Sequence, residues 1–247
     1  MNNRILIEIC VDSIESAFIA QKGGADRIEL CSALNAGGLT PSKGMIEYAA
    51  SHLKIPVFVL IRPRSGDFLY SSAEFNVIKS DIFTAKVAGA AGIVIGMLNS
   101  DGTVDTCRMK EVMEMCSPMM VTFHRAFDMV KDQFLALEQI IELGCNRILT
   151  SGGSLQATIG SPVISELVQK AGQRIIIMPG SGINEKNFAE LVEATGCSEY
   201  HLSASGMYTG KMKYENSQLS VVFASSYPQT DLNKVEAICS LADTLSD

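Results

Sequence analysis

The chain has 247 residues, 47% of them hydrophobic and 19% charged, which excludes a disordered polymer. Twenty basic against 27 acidic side chains leave a net charge of −7 with no Lys/Arg cluster, so neither nucleic acid nor an anionic membrane surface is an expected partner. No apolar run reaches the roughly 18 residues of a membrane span. The start, Met1-Asn2-Asn3-Arg4, enters a strand-like run without a signal-peptide core, so a cytoplasmic chain is expected.

In chain order, a strand over residues 5–10 leads to a helix over 13–22, and a strand over 27–30 to a helix over 42–53. The pattern continues with strand 57–61 and helix 73–87, strand 92–96 and helix 105–116, then strand 119–124 and helix 133–143. Strand 147–150 with helix 162–171, strand 174–178 with helix 185–195, and strand 199–203 with helix 232–245 complete it. Asp12, Ser42, Ser72, Asp132 and Asn184 stand where N-caps belong, and Gly23, Gly89, Gly144, Gly172 and Gly196 just past helix ends. The segment Gly24-Ala25-Asp26-Arg27-Ile28-Glu29-Leu30 is echoed at residues 89–95, 144–150 and 196–202. Each echo ends a helix at Gly and starts an even-numbered strand, so the repeating unit is a βαβα quarter. Eight βα units without a composition break predict an α/β chain folded as a single-domain (β/α)8 TIM-type barrel over residues 1–247. Residues 207–231, before the last helix, exceed usual loop length and suggest a subunit contact or lid, with a homo-oligomer (dimer or tetramer) expected.

The repeat also assigns barrel layers, since alternate strand residues share a face. Arg27, Gly92, Arg147 and Glu199 fall in the lowest layer, Glu29, Val94, Leu149 and His201 in the next, and Cys31, Gly96, Ser151 and Ser203 at the mouth. Catalysis in such barrels occurs at the C-terminal strand ends. There the sequence brings Glu8 and Cys10, Glu29 and Cys31, Arg62, Arg64 and Asp67, His124 with Arg125 and Asp128, and His201. One reading is an enzyme on a small anionic substrate, phosphorylated or carboxylated: Arg62 and Arg64 clamp the anion, Glu8 or Glu29 is the base, and His124 the acid or base. His124, expected among carboxylates, should then titrate above about 6.5. The turns Pro179-Gly180-Ser181-Gly182 and Ser203-Ala204-Ser205-Gly206, with Ser151-Gly152-Gly153, add backbone donors for an anion. The structural alternative is a self-satisfied Glu–Arg–His lattice that only fills the barrel.

Seven Cys stand at 10, 31, 107, 116, 145, 197 and 239 without a C-x-x-C pair, as free thiols should. Cys10 and Cys31 end adjacent strands on the inward face, where strands lie about 4.8 Å apart. Two such thiolates suit Cu(I); equally, they could be small barrel fillers. No organic cofactor is expected.

Several segments carry a family resemblance: Glu8-Ile9-Cys10-Val11-Asp12-Ser13, Gly23-Gly24-Ala25-Asp26-Arg27-Ile28-Glu29-Leu30-Cys31 and Gly37-Gly38-Leu39-Thr40-Pro41-Ser42. So do Ile61-Arg62-Pro63-Arg64, Gly66-Asp67-Phe68-Leu69-Tyr70, Val121-Thr122-Phe123-His124-Arg125-Ala126-Phe127-Asp128-Met129, Arg147-Ile148-Leu149-Thr150-Ser151-Gly152-Gly153 and Ile177-Met178-Pro179-Gly180-Ser181-Gly182-Ile183. In these the chain closely resembles the CutC family of copper homeostasis proteins. The resemblance implies a TIM-type barrel, a cytosolic location, a role in copper tolerance or trafficking, and Cu(I) held by the thiols that match Cys10 and Cys31. Ser65 and Ser181 depart from it, standing where many relatives carry Gly.

Overall fold

The computed structural model describes residues 4–214, 216, 218–219 and 225–246. Eight short strands form one parallel sheet: β1 (Leu6–Val11), β2 (Arg27–Leu30), β3 (Val57–Leu60), β4 (Gly92–Ile95), β5 (Met120–Phe123), β6 (Arg147–Thr150), β7 (Ile176–Pro179) and β8 (Glu199–Leu202). They run in the order β7-β6-β5-β4-β3-β2-β1-β8, and a parallel bridge from Gly180 to His201 joins the two ends. The helices α1 (Ile14–Lys22), α2 (Lys43–His52), α3 (Ser72–Val87), α4 (Thr106–Cys116), α5 (Gln133–Glu142), α6 (Ser161–Ala171), α7 (Phe188–Thr195) and α8 (Leu232–Leu245) follow the strands in turn. This is the TIM barrel that the alternation predicts. Among the described residues no helix is long and apolar enough to cross a membrane.

Helix starts show where local chemistry differs from expectation. Ser42 and Asp132 cap α2 and α5 as predicted. Ser13, not Asp12, caps α1, because the Asp12 carboxylate accepts from the Leu34 amide across the loop after β2. Ser71 rather than Ser72 caps α3, in a full capping box with Glu74. Helix α7 begins three residues later than predicted, because the Asn184 and Asn187 side chains close a turn first.

The outward strand faces pack under the helices, as Ile7, Ile9, Ile28, Leu30, Val59, Ile93, Val121 and Ile148 do. The interior is different. Its floor is ionic: Arg27 bonds both Glu8 and Glu199, the latter at 2.5 Å, and Arg147 reaches Glu199 at 3.0 Å. The Phe58 ring stacks on both guanidiniums, its centroid 5.0 and 5.1 Å from their central carbons. Gly92 makes that possible, since a Cβ there would overlap the Phe58 ring. Above, Cys31, Phe58, Leu60 and Val94 form a small apolar cluster inside the barrel.

Beyond β8 the chain leaves the barrel as an antiparallel ribbon of β9 (Ser205–Thr209) and β10 (Ser226–Thr230). Residues 215, 217 and 220–224 of the segment expected as a contact or lid lie outside the described residues.

The floor yields a test of stability. Glu199 answers two buried arginines, so Glu199→Gln leaves Arg147 without a counter-charge and Arg27 with Glu8 alone. The expected loss is about 3–5 kcal/mol, the usual cost of breaking a buried ion pair from one side. Urea unfolding measures it, and a loss below about 1 kcal/mol would reduce the lattice to a bystander.

Candidate functional site

The C-terminal strand ends surround a cavity of about 320 Å³, with Cys10, Glu29, Arg62, His124 and His201 in its wall alongside Leu34, Leu60, Phe68 and Leu149. Ser181, Gly182 and Ser203 form part of the rim.

The side built from β1, β2 and β8 is tightly wired. Glu8 lies below the mouth, not in it, and is fully buried. One of its oxygens takes Arg27 and the other takes His201 Nδ1 at 2.7 Å. Burial opposes its charge, but Arg27 and His201 outweigh burial and hold its carboxyl well below the usual range. Glu29 is pushed up to about 7, chiefly by burial, with the Glu8 charge adding and His201 and Arg27 partly offsetting. For His201, burial favours the neutral ring, but Cys10, Glu29 and Glu8 together raise its pKa well above that of a free imidazole. Donor atoms of Glu8, Glu29 and His201 lie within 4.8 Å of one another.

Cys10 lines the cavity and Cys31 is wholly buried behind it. The strands are neighbours, with Cys10 opposite Glu29 and the Cys31 amide bonded to the Val11 carbonyl. Burial, then the charges of Glu29 and Cys10, drive the Cys31 thiol far above its ordinary value. Its Sγ–H is spent on the Val11 carbonyl at 3.4 Å.

The side built from β3 and β5 corrects several expectations. His124 has only Asp128 as an acting carboxylate, and burial and Arg62 outweigh it. The ring packs against Phe68, ring centroids 4.9 Å apart, and its Nδ1 accepts from the Ala126 amide at 3.1 Å, capping a 3-10 helix at Arg125–Met129. Burial, reinforced by Arg62, lowers its pKa to about 3 instead of raising it. Gly96 gives the ring its room, since a Cβ there would lie 2.6 Å from Nδ1.

The expected arginine clamp does not assemble. Arg62 enters the cavity wall, its guanidinium holding the carbonyls of Ala36, Gly37, Gly38 and Gly66. Arg64 turns outward to Asp67 at 2.9 Å and Glu74 at 2.5 Å, tying the β3–α3 loop to its capping box. Neither Arg64 nor Asp67 lines the cavity.

The turn after β6 is also already filled. Asp128 takes the amides of Ser151 and Gly153 and the hydroxyls of Thr150 and Ser151. The Gly152 amide goes to Thr150 Oγ1. Ser151, Gly152 and Gly180 therefore stand outside the cavity wall. The turns after β7 and β8 face one another across a second pocket of about 190 Å³, but Glu185 is in its wall and Lys234 donates to the Ser205 carbonyl. Phe68, which flanks both Arg62 and His124, was absent from the sequence-derived site; its motif gave no hint that an apolar ring would enter an ionisable mouth.

The profile of the CutC family matches residues 5–206. The human copper homeostasis protein cutC homolog is 46% identical over 98% of this chain and 91% of its own. A Pasteurella multocida family protein CutC is 49% identical over 84% of this chain and 85% of its own. The crystal structure of the Streptococcus agalactiae putative copper homeostasis protein CutC superposes with a TM-score of 0.77 at 33% identity, covering 81% of this chain and 98% of that one.

The two mouth histidines should titrate in opposite directions. Ring ¹⁵N spectra are expected to show His124 still neutral at pH 5 and His201 still charged well above pH 7. The sign for stability follows: the unfolded chain protonates His124 near 6.5, the folded chain only near 3. His124 therefore costs about 2 kcal/mol of stability as pH falls from 7 to 5. That acid-dependent loss should be absent from His124→Asn, and a parallel pH profile in the two proteins would refute the neutral-ring assignment.

Proposed function

The chain belongs to the CutC family, and from that premise we propose that it takes part in copper homeostasis by binding Cu(I) on the thiols of Cys10 and Cys31. The observation that carries the reading is the placement of these two thiols. One is on the cavity wall and the other behind it at the end of the neighbouring strand, close enough for the Cys31 thiol to feel Cys10.

The donor set suits a soft monovalent ion. Sulfur ligands favour Cu(I), which accepts low coordination numbers. The Glu8, Glu29 and His201 cluster is a poorer home for a hard dication, because Arg27 already occupies a Glu8 oxygen and adds a positive charge beside it. Cys31 carries its proton at neutral pH, so uptake of the ion there would displace that proton. His201, beside Cys10, would be the nearest imidazole to the bound ion. Cys10 at the wall would receive the ion and Cys31 would retain it. All seven cysteines are free thiols, which suits the reducing cytoplasm proposed as its place of action.

The test is Cu(I) competition against a chromogenic chelator. Wild type should take up the ion stoichiometrically, and Cys10→Ser with Cys31→Ser should abolish uptake with little change in melting temperature. Undiminished uptake by a folded double variant would move copper to other donors and end this assignment.

A further inference from the structure

The second pocket, of about 190 Å³, lies between the turns after β7 and β8, and α8 closes it with Lys234 and Ile238. Ala204, at a left-handed φ of 46°, turns the chain out of β8 there, and the residues on either side of it, Ser203 and Ser205, both line the pocket. Its apolar face is Ile183, Leu202 and Ile238, all buried. Its polar wall carries one charge of each sign, Glu185 and Lys234, both half-buried.

Neither charge is answered within the fold. Among the described residues no opposite charge lies within ion-pair distance of either side chain. The Lys234 ammonium has three protons to give, and one goes to the Ser205 carbonyl at 2.6 Å. That bond holds the ammonium against the pocket wall with two donors to spare. Ser203 Oγ donates to Ser205 Oγ at 3.3 Å, which leaves the Ser205 hydroxyl proton to give. An ammonium beside a hydroxyl suits a carboxylate, since charge-assisted hydrogen bonds are the strong ones. The Glu185 carboxylate in the same small space would repel a doubly charged phosphate, and it favours a ligand that brings a cation of its own. Sites for small molecules combine an apolar lining with a few placed polar groups in just this way.

We propose that this pocket binds a free α-amino acid with a small aliphatic side chain. Its carboxylate bonds Lys234 and Ser205, its ammonium bonds Glu185, and its side chain packs on Ile183, Leu202 and Ile238. The volume is below that of sites for drug-sized ligands and matches a molecule of this size. The site uses neither Cys10 nor Cys31 and stands apart from the copper reading.

The experiment titrates L-leucine and L-valine into the full chain by calorimetry and thermal shift. Isocaproate, which lacks the ammonium of leucine, and isoamylamine, which lacks its carboxylate, are the controls, with inorganic phosphate as a third. Leucine or valine should raise the melting temperature saturably, and each control should bind about tenfold or more weakly, because it leaves a charge of the pocket unanswered. Lys234→Met keeps the stem and removes the ammonium, and Glu185→Gln keeps the shape and removes the charge; each should weaken leucine binding about tenfold. Glu185→Gln should not weaken the binding of isocaproate, an asymmetry that general loss of structure would not produce. Cys10→Ser with Cys31→Ser should bind leucine as wild type does, which separates failure here from failure of the copper assignment. Equal responses to leucine and its two fragments, no response to either amino acid, a stronger response to phosphate than to leucine, or undiminished leucine binding by both folded variants would overturn the proposal.

Discussion

Arg27 lies in the barrel floor between Glu8 and Glu199, and the arrangement of the mouth depends on that pairing. With one Glu8 oxygen fixed by Arg27, the other is aimed at His201 and sets which ring nitrogen faces the floor. The charged His201 then lies between two carboxylates and a thiol. A buried ion pair of this kind need add little net stability over a well-packed apolar floor. Its effect is positional. It fixes the rotation of one imidazole and the ionisation of two carboxyls, and so decides what the cavity wall presents.

The two histidines of the mouth show how strongly environment outweighs residue type. Both rings are buried, and burial alone would make both neutral. On the β8 side, Glu8, Glu29 and Cys10 overcome that penalty. On the β5 side the Arg62 charge adds to it and outweighs the opposing Asp128. The cavity is thus divided: a thiol and carboxylate half built on β1, β2 and β8, and a half built from the ends of β3 and β5 with Arg62, the neutral His124 and the apolar Leu60 and Phe68.

The helix–strand alternation and the fourfold repeat were enough to read the barrel, and with it the lowest layer of Arg27, Arg147 and Glu199. That legibility has a physical source, since the same Gly-to-strand junction sets the same inward phase four times. Rotation around the barrel axis is less legible. Strand order places β5 across the barrel from β1, but it does not say that the His124 ring packs against Phe68 and Arg62 rather than reaching the carboxylates of β1 and β2. Extrapolated alternation also places Arg64 at the mouth, whereas β3 ends at Leu60 and the chain turns outward into the capping box of α3. Glu8 reads as a mouth residue because only one strand position separates it from one, yet two residues along a strand is a whole layer of the barrel.

The Ser151-Gly152-Gly153 turn carries the most instructive error. Glycines there at positive φ, 68° and 69°, do build a concave set of amides of the kind that receives anions. The chain itself supplies the anion, through Asp128, which Arg125 holds at 2.8 Å. A second fold-typical phosphate position is altered as well, because after β8 the chain continues into the β9–β10 ribbon, where many barrels place the N-terminus of a short helix. With the first cradle filled from within and the second rebuilt, neither fold-typical anion position is carried over unchanged.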